Sequence, residues 1–145
     1  MTEFRRMQPE DLDQVAAIER QCFSEPWTRA GFETSLRSPD TLYLAALEEG
    51  QVVGYCGLLR SFEEADITNV AVREDHRNQG IAGKMLEELM EQGRRWGILR
   101  FTLEVRVSNR AAIRVYERLG FASVGVRRGF YTKPAEDALI MWTRE

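Results

Sequence analysis

The sequence is short of the residues that staple small folds. It holds two cysteines, Cys22 and Cys56, and one histidine, His76. No C-x-x-C pair occurs, and no cluster of Cys, His and acids has zinc-site spacing, so no structural metal is expected. The cysteines read as buried or partly buried free thiols of a reducing compartment. His76 sits in a charged turn and reads as exposed, with no special role. Long apolar runs are also missing: none reaches the roughly 18 residues of a membrane helix. The stretch from Thr2 to Arg6 lacks the apolar core of a signal peptide. A cytoplasmic protein with no membrane association is the expectation. Charge of one sign is lacking too, with 20 basic and 23 acidic side chains. A net charge of -3 disfavours direct nucleic-acid binding and is too small to select another partner.

What remains is ordinary globular composition. Hydrophobic residues make up 43% of 145 positions, enough for one core without staples, so a single domain over residues 1–145 is expected. Thr2 to Arg6 reads as a short strand. Pro9, Glu10 and Asp11 open a helix, proline suiting the first turn and the acids the positive end of the dipole. Leu12, Val15, Ile18, Cys22 and Phe23 follow at helical spacing. After a break at 23–28, Thr28 caps a second short helix that ends before Ser38-Pro39. Strands are expected over 41–48 and 51–60, joined by a turn at Glu49-Gly50, and a third over 65–72. Gly80 to Gly93 reads as a helix with Ile81, Met85, Leu86 and Leu89 on one face. Arg100 to Val105 reads as a strand, and Asn109 caps a helix that Gly120 stops. Two late strands are expected, about 122–128 and 138–143.

Strand, helix and strand between Ala65 and Val105 imply a parallel pair, while the hairpins imply antiparallel pairing elsewhere. The fold class is therefore α/β with a central mixed sheet and helices on both faces.

The turn Arg77-Asn78-Gln79-Gly80-Ile81-Ala82-Gly83-Lys84 leads from a strand into a helix. Free N–H groups at a helix start attract anions, Gly80 has no Cβ to keep a phosphate off the backbone, and Arg77 and Lys84 add positive charge. The same glycines also suit a tight helix start, and spacing alone leaves both readings open. Two nucleotide motifs fail: Met85 follows Gly83-Lys84 where a P-loop needs Ser or Thr, and G-x-G-x-x-G is absent.

Arg77-x-x-Gly80-x-Ala82 resembles the [QR]-x-x-G-x-[GA] pyrophosphate motif of the GNAT superfamily, the Gcn5-related N-acetyltransferases. Leu103-Glu104-Val105-Arg106-Val107-Ser108-Asn109, followed by Ala112, Tyr116-Glu117 and Leu119-Gly120-Phe121, resembles its second signature. Nearest in pattern are the bacterial enzymes that acetylate the N-terminal alanine of a small-subunit ribosomal protein. They share L-E-V-R-x-S-N, the pair Pro26-Trp27, and R-R-x-Y-Y, which here is Arg127-Arg128-Gly129-Phe130-Tyr131 with Phe130 departing from the pattern.

The resemblance implies the GNAT fold, with a splayed parallel strand pair that holds acetyl-CoA. It implies cofactor contacts from the backbone of Val70, Ala71 and Val72, from Arg77, Asn78, Gln79, Gly80, Ile81, Ala82 and Gly83, and from Asn109. Glu104 becomes the candidate general base and Tyr116 the candidate general acid. From the residues alone, Glu104 fits equally a strand glutamate facing solvent or pairing with Arg106, and Tyr116 fits core packing. Trp27 and Tyr131 are candidates to line the acceptor groove, where packing roles serve as well. The implied substrate is a protein N-terminus, that of a ribosomal protein. Lysine side chains, polyamines or other small amines are alternative acceptors. A non-catalytic acyl-CoA-binding regulatory module is the alternative of another class, and the presence of both Glu104 and Tyr116 disfavours it.

Overall fold

The computed structural model describes residues 2–144; Met1 and Glu145, the ends of the expected 1–145 domain, lie outside the described residues. The chain runs β1 (Glu3–Arg6), α1 (Leu12–Cys22), α2 (Arg29–Leu36), β2 (Thr41–Glu48), β3 (Gln51–Ser61), β4 (Glu64–Val72), α3 (Ile81–Arg95), β5 (Arg100–Arg106), α4 (Arg110–Arg118), β6 (Phe121–Thr132) and β7 (Ala135–Thr143). The seven strands form one mixed sheet in the order β1-β2-β3-β4-β5-β7-β6. Its one parallel pair is β4 with β5; the others are antiparallel. No helix of the described residues is long and apolar enough to cross a membrane.

Two apolar layers follow from strand alternation. Leu42, Leu44, Cys56, Ile67, Leu103 and Met141 pack beneath α3, whose Ile81, Met85, Leu86 and Leu89 are buried. Tyr43, Val52, Tyr55 and Ala71 face the other way and meet Leu12, Val15, Ile18 and Phe32 of α1 and α2. Because β2 is covered on both sides, its sequence TLYLAALE is nearly continuous apolar rather than alternating. Burying a side chain such as Leu89 stabilises the fold by about 1.5–3 kcal/mol.

The expected caps are present. The Thr28 hydroxyl accepts from the Gly31 N–H at 3.1 Å, and the Asn109 side chain from the Ala112 N–H at 3.2 Å. Glu49 and Gly50 both take positive φ in the β2–β3 turn. The final hairpin extends past the expected 122–128 and 138–143. Register shifts between Ser123 and Gly125 and between Arg127 and Tyr131 absorb extra residues, and pairing resumes at Tyr131 with Glu136. Gly129, at φ 64, lies within the longer shift.

Candidate active site

The site begins with an interruption of the sheet. Gly57 pairs with Asn69 and Leu58 with Ile67, so Thr68 is an extra residue in β4. A bulge twists and bends its strand. Before it, Glu64 to Asp66 pair with Arg100 to Thr102 of β5; beyond it, the two strands have no pairing. The rest of β4 stays on β3, where the Arg73 N–H donates to Val53 O at 2.7 Å. By alternation Ala71 also faces β3, while Val70 and Val72 turn their backbone groups into the gap. Val72 O already accepts from Arg77 Nε at 3.1 Å. Val70 therefore leaves an open strand edge, with donor and acceptor both available.

A cavity of about 820 Å³ opens from this gap. Val70, Glu104, Asn109, Tyr116, Trp27 and Tyr131 all line it. Ala71, Val72 and the turn at 77–83 lie outside that lining. The turn instead shapes the start of α3. Gly80 has φ 76, a conformation costly for any residue with a Cβ, and a Cβ built there would meet nothing within 4 Å. Lys84 N–H makes the first intrahelical bond, to Gly80 O at 3.2 Å. The N–H groups of Ile81, Ala82 and Gly83 precede it and project from the helix end. Asn78, at φ 63, and Gln79 complete the exposed approach. Arg77 is folded back, with Nη2 3.1 Å from Cys22 Sγ, so its charge is anchored between α1 and the end of β4. A strand edge leading to an open, positive helix terminus fits a long ligand with an amide-bearing arm and phosphates.

Across the gap, Leu103 and Val105 point into the core and Glu104 points the other way, into the cavity. Glu104 Oε2 lies 3.1 Å from Arg127 Nη1. That oxygen is out of water contact and accepts no hydrogen bond, so the pair is held by charge rather than by a directed bond. The sequence had suggested solvent or Arg106 as the partner. Arg106 is engaged elsewhere: it bonds Glu136 Oε1 at 3.2 Å and the carbonyls of Lys133 and Pro134, and stacks 4.2 Å over the Tyr131 ring.

Tyr116 is 9% exposed, and its ring meets Phe121 edge-on at 6.0 Å. Tyr116 therefore packs in the core, as the residues alone suggest, and also borders the cavity. Its hydroxyl makes no hydrogen bond among the described residues, and burial pushes its pKa up to about 12. Burial also raises Tyr131, against a smaller opposing effect of Arg106.

Two groups escaped the sequence reading. Glu19 is 3% exposed; its carboxylate accepts from the Tyr55 hydroxyl and, at 3.0 Å, from the Trp27 N–H. It thereby fixes the Pro26-Trp27 turn at the cavity wall, while the Trp27 ring packs on Phe32 at 5.3 Å. Its place three and four residues after Ala16 and Val15, on the buried stripe of α1, is the signal that could have found it. The other is the tip of the β6–β7 hairpin. Lys133 O accepts from the Ser24 hydroxyl, and Thr132 Oγ1 donates to Glu25 Oε1 at 3.1 Å, so this tip and the α1–α2 turn meet over the cavity. His76 is half-buried rather than exposed, with Nδ1 2.9 Å from Asp75 Oδ1.

Comparison with known proteins gives one family. The pattern of the acetyltransferase (GNAT) family matches residues 12–121. A Bacillus subtilis relative is 37% identical over 139 residues, covering 95% of this chain and 92% of its own, and its name provisionally makes it a ribosomal protein bS18-alanine N-acetyltransferase. The crystal structure of the ribosomal-protein-S18-alanine N-acetyltransferase from Escherichia coli superposes with TM-score 0.90 at 31% identity, over 99% of this chain and 93% of that one. A Salmonella typhimurium protein solved with its cofactor acetyl-CoA has TM-score 0.89 at 20% identity, over 99% and 94%, which shows a shared fold.

Proposed function

The chain belongs to the acetyltransferase (GNAT) family, and from that premise we propose that it moves the acetyl group of acetyl-CoA to the α-amino group of a protein N-terminus, in the first place the N-terminal alanine of a small-subunit ribosomal protein. The observation that carries this reading is the unpaired edge of β4, opening into a cavity that also receives Glu104 and Tyr116. One domain supplies both halves of the site.

Acetyl-CoA supplies the acetyl group as a thioester. Its pantetheine arm would add to the β4 edge at Val70 to Val72, and its pyrophosphate would meet the free N–H groups of Ile81, Ala82 and Gly83, with Arg77, Asn78 and Gln79 around it. Asn109 closes the far side from β5. The Val70 N–H is the backbone donor nearest the gap, suited to charge that develops on the carbonyl oxygen.

An acceptor enters from the side walled by Trp27 and Tyr131. An α-amino group titrates at roughly 8 and a lysine near 10.4, so at neutral pH an α-amine loses its proton more readily. The Glu104 carboxylate accepts that proton, directly or through one water. Tyr116 stays protonated because burial raises it to about 12. Free thiols sit near roughly 8.5, well below it. Tyr116 therefore acts on the leaving sulfur as a hydrogen-bond donor that keeps its proton, and the thiolate of CoA departs as the anion or takes a proton from water.

The test is a panel of peptides and small amines with acetyl-CoA, read by mass spectrometry. Peptides that begin Ala-Arg should be acetylated fastest; a polyamine acetylated faster than every peptide would replace the acceptor assignment.

A further inference from the structure

Register places Glu104 opposite Ile140 on β7, and Arg127 and Arg106 opposite Ala138 from its two sides. All these side chains therefore rise from one sheet face, across the sheet from α3. Ala138 is fully buried and carries only a methyl group, so the Arg127 side chain passes over β7 and brings Nη1 to Glu104 Oε2. The Phe130 ring flanks the guanidinium at 5.3 Å. With its side chain 57% exposed, Arg127 is free to swing outward.

Most other charges at the cavity wall are committed. Glu19 is held by Tyr55 and the Trp27 N–H, Glu25 by Thr132, and Arg106 by Glu136. Asp66 is not. It makes no hydrogen bond or ion pair among the described residues, burial raises its carboxyl, and the Arg127 charge acts in the opposite direction. Asp66 lies opposite Thr102, two residues before Glu104 on β5, and lines the same cavity, so a second carboxylate stands beside the one that Arg127 touches.

We propose that Arg127 is a positioning residue of the acceptor site: its guanidinium holds the place on Glu104 that the acceptor's ammonium takes, and turns to Asp66 when the acceptor binds. This rests on Glu104 being the group that receives the amine. An ammonium arriving on the same carboxylate repels the guanidinium held at Oε2, and this repulsion favours the outward swing of Arg127 as the acceptor binds. An exposed ion pair is weak, which keeps the exchange cheap. Asp66 supplies the displaced guanidinium with a counter-ion, so the net charge of the site changes only by the acceptor itself.

The experiment measures the dissociation constant of an alanine-initiated peptide by calorimetry, with CoA present, in single and double variants. Arg127→Gln removes the competing cation and should tighten peptide binding about two- to fivefold, the range of an exposed ion pair. Arg127→Lys should bind as wild type. Asp66→Asn takes away the second carboxylate and should weaken binding by a similar factor. In a Glu104→Gln background, Arg127→Gln should have no effect, because nothing remains to compete for. Unchanged or weaker binding by Arg127→Gln would overturn the proposal. So would an equal gain in the Glu104→Gln background, which would show a general field effect. Failure of the base assignment is read separately, as wild-type kcat in Glu104→Gln.

Discussion

Replacing Tyr116 with Phe separates chemistry from packing more cleanly than any other change at this site. The ring is 9% exposed and packs on Phe121, and both features survive the substitution. The hydroxyl makes no hydrogen bond among the described residues, so its loss strands none of them. The residue borders the cavity, so removing the hydroxyl breaks no bond and takes away one partly desolvated polar atom; the variant should be as stable as wild type or up to about 1 kcal/mol more stable. For a domain of this size that is an unchanged or slightly higher Tm, by about 2–4 °C at most. Activity should move the other way. Loss of one donor to a charge that develops in the transition state lowers kcat by about 10²–10³-fold. The pH profile adds a sign. Burial holds the phenol protonated until about pH 12, so wild-type kcat should show no alkaline fall from this group below about pH 11. The assay is thiol release at saturating acetyl-CoA and peptide from pH 6 to 10, beside calorimetric melting. A kcat within fivefold of wild type would refute the role given to Tyr116. A large kcat loss accompanied by a Tm drop of several degrees would show that the hydroxyl is structural.

Other outcomes follow from the same geometry. Glu104→Gln should lower kcat by about 10²–10⁴-fold, leave the acetyl-CoA dissociation constant unchanged, and recover partly at higher pH as more amine is neutral. Gly80→Val forces a Cβ at φ 76 and should raise the acetyl-CoA dissociation constant at least about tenfold in calorimetry, while circular dichroism remains native. Dialysis against a chelator should leave acetyl transfer intact; activity lost and then restored by zinc would contradict the metal-free account. Burial works to raise the Asp11 carboxyl, but hydrogen bonds from Arg5 and the Gln8 N–H outweigh it and hold the group below the ordinary carboxylate range. A lowered folded-state value makes its stabilisation full above the unfolded value and lost as pH falls. Urea melts of Asp11→Asn should therefore differ from wild type at pH 6 and converge toward it near pH 2.

The two caps and the Glu49-Gly50 turn were legible because each depends on a few neighbouring residues. Thr28 and Asn109 bond to N–H groups three positions on, and such signals survive in any tertiary setting. The final hairpin was under-read for the opposite reason. The expected strand stops just before Gly129, yet a register shift lets the strands re-pair beyond it. Glu104 and Tyr116 became candidates through a family resemblance and not through periodicity, since a strand glutamate and a helix tyrosine have commoner roles; the structure places both at one cavity. The bulge at Thr68, which opens the gap, leaves no mark in a run that reads as plain strand. The Arg127–Glu104 contact was out of reach, because it depends on the register of three strands and on the small side chain of Ala138 between them.

The central claim is that an α-amine, and not a lysine side chain, receives the acetyl group at the gap between β4 and β5. The direct measurement uses one peptide that begins Ala-Arg and carries an internal lysine, incubated with acetyl-CoA and the protein, and locates the acetyl group by tandem mass spectrometry. The account predicts modification of the N-terminal alanine, with none on lysine at equal conversion, and loss of the reaction in the Glu104→Gln and Tyr116→Phe variants. Acetylation of the lysine with a free N-terminus, or transfer at the wild-type rate by both variants, would contradict it.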